Sequence, residues 1–284
     1  MIVHDSPELF KRIVRQLLAD NHHIFVNIDK KVDMTPFLIY ERGVTFLNED
    51  ERIKVNWGGF SQVRCELELL KKAYTYPSIN FDYFHLLSGH DFPCATIDQF
   101  DTFFERVTPG RSFMHFDTPD QHKDWSEQIE ARINKWHLAD TFVGKTSRIR
   151  RFIEAFLNRM FPRSFPLELY AGWQWFSWHR SLVMWVLSYC DCHPDYLRRF
   201  HNTGCCDEVL FHTMLHPHID ELNIDINNAL RYIDWFPDRP YKTLPLILDE
   251  RDYDKIVKSG CLFCRKVKMP DSNTLCSKLE NNKV

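Results

Sequence analysis

The opening residues alternate between strand, helix and strand patterns, and this order restricts the fold more than any other stretch. A short apolar run ends at Val3, and Ser6-Pro7-Glu8 then predicts a helix start, with the serine as cap and the proline at the first helical position. The next apolar run, Ile24–Ile28, precedes Asp29. Because parallel sheets bind ligands at the carboxyl ends of their strands, we expect His4 and Asp29 at a ligand-binding edge.

The alternation continues along the chain and indicates the α/β class. Apolar runs at 81–87 and 112–116 predict further strands, and a helical apolar pattern marks a helix that includes Ile149, Phe152, Ile153, Phe156 and Met160. We therefore expect a central, mostly parallel sheet flanked by helices. We place it in a single domain over residues 1–268, followed by a polar, flexible tail over 269–284.

Composition narrows the class of protein. The chain has 284 residues, a formal net charge of −3 and scattered basic residues, which argue against a nucleic-acid surface. No export signal precedes the first strand, and the longest apolar run, 182–189, is far below the ~20 residues that span a bilayer. Nine cysteines then indicate free thiols in a reducing compartment. We expect a cytoplasmic protein without a transmembrane segment, and peripheral association with the inner face of the membrane stays open.

An adjacent acid pair, Asp207 and Glu208, precedes a helical apolar pattern over residues 210–215. We expect Asp207 to cap this helix, because its side chain can accept from the free amides of the first turn. Glu208 would be an ionised carboxylate at the helix start, the kind of group that takes a proton from a substrate hydroxyl. The alternative is a plain capping pair with no part in catalysis.

A second motif raises a different enzyme class. Residues 139–146 resemble a phosphate-binding loop that ends in Gly144-Lys145-Thr146, and a predicted helix follows, as such a loop requires. Ala139 stands where the first glycine is expected, which removes a position that often needs positive φ. ATP hydrolysis or kinase chemistry therefore stays as an alternative.

Several patterns carry metal-ligating residue types, but each lacks a part that a metal site needs. They are Cys190/Cys192, Cys205/Cys206, Cys261/Cys264, His212/His216 and Asp252/Asp254. The cysteine spacings do not form the usual zinc pattern, and Thr213 stands where zinc proteases have glutamate. The Asp-x-Asp pair lies in a charged run that suits a solvated helical face. A structural zinc site is therefore disfavoured.

Two adjacent cations, Arg265 and Lys266, end the last apolar run of the chain. Lys268 follows them and Lys242 lies upstream. Lone lysines usually only face water, but cations that end a buried strand can neutralise a diphosphate without a metal.

Eight short motifs, in this order, resemble the core-2/I-branching β-1,6-N-acetylglucosaminyltransferase family, glycosyltransferase family 14, which includes the peptide O-xylosyltransferases. The motifs are Ile2–His4, Ile28–Lys31, Trp57–Gly59 with Ser61, Leu86–Pro93, Gly172–Phe176, Asp207–Glu208, Arg231–Trp235 and Leu262–Lys266. The resemblance implies a GT-A-like, Rossmann-like fold and an inverting transfer from a UDP-sugar without a metal or other cofactor.

The resemblance also assigns roles to individual residues. Glu208 matches the general base that deprotonates the acceptor hydroxyl. Arg265 and Lys266 match the cations that hold the UDP diphosphate, and Lys242 is a further cation of this kind. The remaining matches are, on the nucleotide side, Val3, His4, Asp29 and Trp57 and, on the donor-sugar and acceptor side, Asp91, Gln174 and Trp235.

The resemblance therefore implies an acetylglucosaminyltransferase that transfers N-acetylglucosamine from its UDP-sugar to a hydroxyl of a glycan or glycolipid acceptor. A UDP-xylose-dependent transferase and a glycan-binding protein without turnover are the alternatives. The family often has serine where this chain has Trp173, so the acceptor pocket differs. The Golgi anchor of animal members is not in the sequence, so we expect a bacterial member.

Overall fold

The computed structural model describes residues 1–77, 79–118, 125–141 and 148–281. The strands are β1 (Ile2–Val3), β2 (Ile24–Ile28), β3 (Val44–Phe46), β4 (Tyr83–His85), β5 (Phe92–Pro93), β6 (Ser112–Phe116), β7 (Gly172–His179), β8 (Ile224–Asp225), β9 (Arg231–Ile233) and β10 (Phe263–Arg265). The helices are α1 (Pro7–Leu17), α2 (Phe60–Tyr74), α3 (Ile97–Arg106), α4 (Trp125–Ile133), α5 (Arg148–Met160), α6 (Arg180–Cys192), α7 (Pro194–Arg199), α8 (Leu210–Leu215), α9 (Tyr253–Ser259) and α10 (Asn273–Asn281). Short 3-10 turns lie at Thr35–Phe37, Cys206–Glu208, His216–His218 and Glu250–Asp252.

The chain divides into two compact units. The first unit comprises Met1–Arg52, Leu86–Pro109 and Leu230–Val284, and the second comprises Ile53–His85 and Gly110–Ala229. Each unit has its own sheets and its own buried side chains. The single domain over residues 1–268 stays a prediction.

The first unit contains the strand, helix and strand that the opening residues predict. β1 pairs in parallel with β2, and β2 pairs in parallel with β3. Helix α1 buries Phe10 and Ile13 on its apolar face. Pro7 begins α1 as predicted, but Ser6 makes no capping hydrogen bond through its side chain. A second sheet has the order β5-β10-β9, with β10 antiparallel to β5 and parallel to β9.

The second unit is built on a four-stranded sheet with the order β4-β7-β6-β8. β7 runs antiparallel to both β4 and β6, and β8 runs parallel to β6. Phe176 and Trp178 on β7 are fully buried, and their stacked rings lie 3.6 Å apart between centroids. Helix α2 packs against α6 and against the turn Cys206–Glu208. The predicted acid pair is therefore anchored to α2.

The sheets correct one part of the predicted fold. The described residues form three small sheets in place of one central, mostly parallel sheet, and β7 has antiparallel partners on both sides. Alternation of strand and helix patterns does not determine which strands pair, because the partners are distant in the chain. Tyr83, for example, pairs with His179. The α/β class is confirmed.

The end of the chain also differs from the flexible tail that we expected over residues 269–284. Residues 273–281 form α10, which buries Leu275 and Leu279. Arg12 of α1 donates to both carboxylate oxygens of Glu280, at 2.8 and 2.9 Å. Apolar residues four apart within a polar stretch were the sequence signal for this helix.

The longest helix among the described residues is α2, with 15 residues, followed by α5 and α6 with 13 each. None of the helices that the structure describes has the length and apolar character to cross a bilayer.

Candidate active site

In the first unit, the carboxyl ends of β1 and β2 lie side by side. The amide of Asp29 donates to the carbonyl oxygen of Val3 at 2.8 Å, which joins the two strand ends. The Asp29 carboxylate is buried, accepts from the amide of Lys31 at 2.9 Å and lies 3.3 Å from the Lys31 ammonium. Arg52 donates to the Asp29 carbonyl oxygen at 2.9 Å. Val3 and Asp29, both predicted on the nucleotide side, are thus adjacent.

His4 follows β1 directly and belongs to a cluster with Asp5 and His90. Nε2 of His90 lies 3.3 Å from Asp5 Oδ1, and Nε2 of His4 lies 3.7 Å from Asp5 Oδ2. The hydrogen bond from His90 is the main cause that lowers the pKa of Asp5. Among the described residues, these three are the group whose ligand atoms are close enough to hold a metal ion. The resemblance assigns His4 to nucleotide binding, and that role stays a prediction.

Asp91 anchors the predicted diphosphate cation Arg265. Asp91 Oδ2 accepts from the amide and hydroxyl of Ser88, at 2.7 and 2.6 Å, and from Arg265 Nη1 at 3.0 Å. Arg265 Nη1 also lies 2.9 Å from Ser88 Oγ. The Asp91 carboxylate is fully buried, whereas 16% of the Arg265 side chain is exposed. Asp91 therefore orients a guanidinium whose outer edge reaches solvent.

Arg231 lies near Asp91 and Arg265 and was not among the predicted site residues. It is buried, and its Nη2 donates to the carbonyl oxygen of Leu86. Burial lowers the pKa of Arg231 to about 10, and the nearby Asp91 charge opposes that effect. The sequence feature that could have identified Arg231 is its position at the start of the Arg231–Trp235 motif. The first unit thus holds two guanidinium groups around one buried carboxylate.

Lys266, Lys242 and Trp235 complete the predicted residues of the first unit. The Lys266 amide donates to the Leu246 carbonyl oxygen at 3.3 Å, so the backbone of Lys266 is fixed while its side chain is half-buried. Lys242 is exposed. The indole Nε1 of Trp235 is buried and has no hydrogen-bond acceptor among the described residues. An indole N–H in that state is available to a ligand that supplies the acceptor.

In the second unit, Asp207 and Glu208 lie in the turn Cys206–Glu208 and not in the first turn of a helix. Helix α8 begins at Leu210, and the side chain of Asp207 makes no capping hydrogen bond. Asp207 is instead buried, and its Oδ2 accepts from Gln62 Nε2 of α2 at 2.9 Å. The predicted cap is therefore wrong, because a contact from a distant helix holds the carboxylate inside.

Glu208 points outward beside an arginine. Arg132 Nη1 donates to Glu208 Oε2 at 3.0 Å, and 31% of the glutamate side chain is exposed. Sequence reasoning did not identify Arg132, because its segment has no clear periodic pattern. The adjacent acids thus differ: Asp207 is enclosed, and Glu208 is held by a guanidinium at a position that is partly exposed to solvent.

A second buried acid, Glu66 of α2, lies near Asp207. Gln174 Nε2 donates to Glu66 Oε1 at 2.5 Å. Burial, followed by the charge of Asp207, raises the pKa of Glu66 well above its usual range. Burial, followed by the charge of Glu208, raises the pKa of Asp207 to about 7. The sequence feature that could have predicted this cluster is a glutamate on the apolar face of α2, between Val63 and Leu70.

The structure thus places Gln174 in the buried acid cluster, although the resemblance assigns it to the acceptor side. Its amide group serves Glu66 and is itself largely buried. Trp57 belongs to the second unit, where 68% of it is exposed in the turn before α2. Its predicted role beside the nucleotide stays a prediction.

The structure describes the rival histidine and cysteine patterns but not the phosphate-loop motif. Gly144-Lys145-Thr146 lies outside the described residues. His212 is fully buried, its Nε2 binds the carbonyl oxygen of His115 at 3.0 Å, and burial lowers its pKa to about 3. His216 instead stacks on Tyr170. Of the residues that the structure describes, no cysteine belongs to a group of three metal-ligand types close enough for zinc.

Comparison with known proteins gives a consistent picture. Residues 7–257 match the model of the Core-2/I-Branching enzyme family. The chain is 23% identical over 252 residues to xylosyltransferase 1 of Mus musculus and 24% identical over 246 residues to xylosyltransferase 2 of the same species. These alignments cover 83% of this chain but only 24% and 26% of the two relatives. The chain thus spans about a quarter of the length of the curated relatives that it matches.

Proposed function

The chain belongs to the Core-2/I-Branching enzyme family, and on that basis we propose that it is an inverting glycosyltransferase of GT-A-like fold that transfers a sugar from a UDP-sugar to a hydroxyl of a glycan acceptor. The observation that carries this proposal is the geometry of Glu208. Its carboxylate is accessible, is oriented by Arg132 at 3.0 Å and follows a buried acid in the chain. A glycan or a glycolipid is the acceptor class.

Glu208 suits the role of general base. A sugar hydroxyl is a poor nucleophile, so its attack on the anomeric carbon requires removal of its proton on the face opposite the leaving group. Arg132 limits the rotation of the Glu208 side chain, and the enclosed Asp207 cannot replace it because burial removes Asp207 from contact with substrate. One carboxylate of the pair is therefore presented to the acceptor.

Arg265 and Lys266 suit the role of charge partners for the leaving diphosphate. Negative charge develops on UDP as it departs, and fixed cations stabilise that charge most when they need no reorganisation. Asp91 and Ser88 hold the Arg265 guanidinium in place before substrate arrives. In this mechanism side chains supply the positive charge, and no step requires a metal ion. Lys242 is an additional cation of the same unit.

The donor is UDP-N-acetylglucosamine in our proposal, with UDP-xylose as the second candidate. The first follows from the resemblance to the β-1,6-N-acetylglucosaminyltransferases. The second is favoured because the matched relatives from mouse are named xylosyltransferases. The two sugars differ in the 2-substituent and in the C6 group, so a donor screen separates them directly.

A UDP-release assay across UDP-sugars, run in EDTA, tests the proposal. We expect release with one donor class, a loss on the order of 10²–10⁴-fold for Glu208→Gln and a loss of about 10²-fold for Lys266→Ala. Glu221→Gln is the matched control, since Glu221 is an exposed carboxylate of the same unit. Loss of all release in EDTA, or full activity of Glu208→Gln, contradicts the mechanism. Binding of a glycan without UDP release from any donor supports the glycan-binding alternative.

A further inference from the structure

Helix α5 exposes the apolar side that a soluble amphipathic helix normally buries. Ile149, Phe152, Phe156 and Met160 recur every three or four residues and form one stripe, the α5 stripe. Their exposed fractions are 67%, 74%, 52% and 55%, and no residue of α5 is buried. Such a contiguous exposed patch is unusual on a soluble protein and marks an interaction surface.

Polar contacts on the opposite side of α5 determine this orientation. Glu154 Oε1 accepts from the Leu138 amide at 2.7 Å and from Arg150 Nε at 2.8 Å. Asn158 Oδ1 accepts from the Trp136 amide at 2.7 Å. Residues 150, 154 and 158 follow one another at intervals of four, so they define a polar face that binds the segment 136–138. Because that face points inward, the α5 stripe must point outward.

Two arginines accompany the stripe on the outward side. Arg148 and Arg159 are exposed and, at the helical spacing of 100° per residue, lie along the edge of the stripe that Phe152 forms. The one carboxylate of α5, Glu154, faces inward and is paired with Arg150. The outward half of α5 therefore has an apolar band and a cationic band without an acidic side chain.

We propose that α5 is a membrane-surface helix that binds bilayers rich in anionic lipid. A helix that lies in the interface needs an apolar face that enters the acyl boundary and basic residues that meet the headgroups. Phenylalanine and methionine side chains of the α5 stripe supply the first, and Arg148 and Arg159 attract anionic phosphates. Charge complementarity selects this occupant, because an uncharged protein groove would leave the arginines unpaired. The proposal does not depend on the transferase activity.

Vesicle flotation of the full chain tests the proposal. The vesicles are phosphatidylcholine alone and phosphatidylcholine with phosphatidylglycerol. We expect flotation with the anionic vesicles, weaker flotation with the neutral ones, and a decrease at high salt with the anionic vesicles only. Phe152→Ser/Phe156→Ser should lower the partition coefficient at least about tenfold, since it removes the largest apolar area. Arg148→Gln/Arg159→Gln should lower it roughly thirtyfold on anionic vesicles only.

Two matched control variants test whether vesicle binding depends on α5 and not on other exposed residues. Lys71→Gln/Lys258→Gln changes the net charge by the same amount at exposed positions on other helices and should retain binding. Tyr40→Ser/Met184→Ser removes two exposed apolar side chains elsewhere and should also retain binding. Circular dichroism of each variant verifies folding, which exposed substitutions should preserve.

Three results overturn the proposal. One is the absence of flotation at any lipid composition. Another is equal flotation of the wild type and the Phe152→Ser/Phe156→Ser variant. The third is a wild-type dimer in solution that this variant dissociates, which would assign the α5 stripe to contact between two copies of the chain.

Discussion

The side-chain amide of Gln174 donates to Glu66 Oε1 at 2.5 Å inside the second unit. This contact connects β7 to α2 and places a polar pair in a buried environment. Burial raises the pKa of Glu66 well above its usual range and so favours the neutral carboxylic acid in the folded protein. Gln174 consequently acts as a structural donor in this unit.

Glu66→Gln should therefore leave stability nearly unchanged. Glutamine has the shape of the neutral acid and retains the carbonyl that accepts from Gln174, so we expect a change under ~1 kcal/mol in the free energy of unfolding by urea. Glu66→Ala should cost about 2–4 kcal/mol, because it leaves a cavity and an unpaired buried amide. Equal destabilisation by the two substitutions would show that Glu66 is charged in the folded state.

Asp207→Asn should change how stability depends on pH. Burial, followed by the Glu208 charge, raises the pKa of Asp207 from 3.8 to about 7 in the folded state. A carboxyl group with a raised folded pKa favours folding while it is protonated, below its unfolded pKa, and this contribution is lost as the pH rises through the folded pKa. The wild type should therefore lose stability between about pH 4 and 7 more steeply than Asp207→Asn.

The measurement is the difference in unfolding free energy between the two proteins at pH 5 and pH 8. We expect the difference to shift by about 1–3 kcal/mol in favour of Asp207→Asn at the higher pH. Gln62 can still donate to the asparagine carbonyl, so the variant keeps the contact to α2. Parallel stability curves for the two proteins would contradict the prediction.

Asp91→Asn should be strongly destabilising. The substitution breaks the ion pair between the fully buried Asp91 carboxylate and Arg265 at 3.0 Å, and removing one partner of a buried pair costs about 3–5 kcal/mol. The double variant Asp91→Asn/Arg265→Gln should be less destabilised than the sum of its single variants, because it removes one charge from each side. Chemical denaturation of the wild type, the two single variants and the double variant measures this double-mutant cycle.

The control for that cycle is Asp238→Asn. Asp238 pairs with Lys255 at 3.2 Å, but 75% of its side chain is exposed, so its loss should have little measurable effect on stability. If Asp91→Asn were as mild as Asp238→Asn, the buried carboxylate would have no part in holding Arg265.

Trp235→Phe should weaken substrate binding without lowering the stability of the protein. The buried Trp235 indole N–H has no acceptor among the described residues, so its removal should not lower the melting temperature. If a bound substrate supplies the acceptor, KM should rise about five- to tenfold while kcat changes little. Unchanged KM together with a lower melting temperature would instead assign the indole to packing alone.

Several parts of the fold and of the candidate site could be predicted from local patterns. The opening strand, helix and strand follow from apolar runs and from Pro7, and the structure confirms them. The order of eight motifs identified the family that the match over residues 7–257 shows. Asp91 and Arg265 were both named from the sequence, but their ion pair was not, because 174 positions separate them.

Other features could not be predicted because distant side chains decide them. Asp207 has the sequence context of a helix cap, yet Gln62 of α2 holds it in the interior. The α5 pattern indicates an amphipathic helix, but the inward contacts of Glu154 and Asn158 decide that the apolar side faces out. The polar composition of the last residues suggested a flexible tail, whereas Arg12 binds Glu280 and α10 buries two leucines.

The sequence by itself determined the opening strand, helix and strand, the α/β class and the family, because each depends on local periodicity or on the order of short motifs. Only the tertiary structure decided the state and the surroundings of the titratable groups. Burial distinguishes the enclosed acids Glu66 and Asp207 from the accessible Glu208. An ion pair joins Asp91 to Arg265. The physical reason is that desolvation and pairing depend on distances in space, which residue spacing along a chain does not contain.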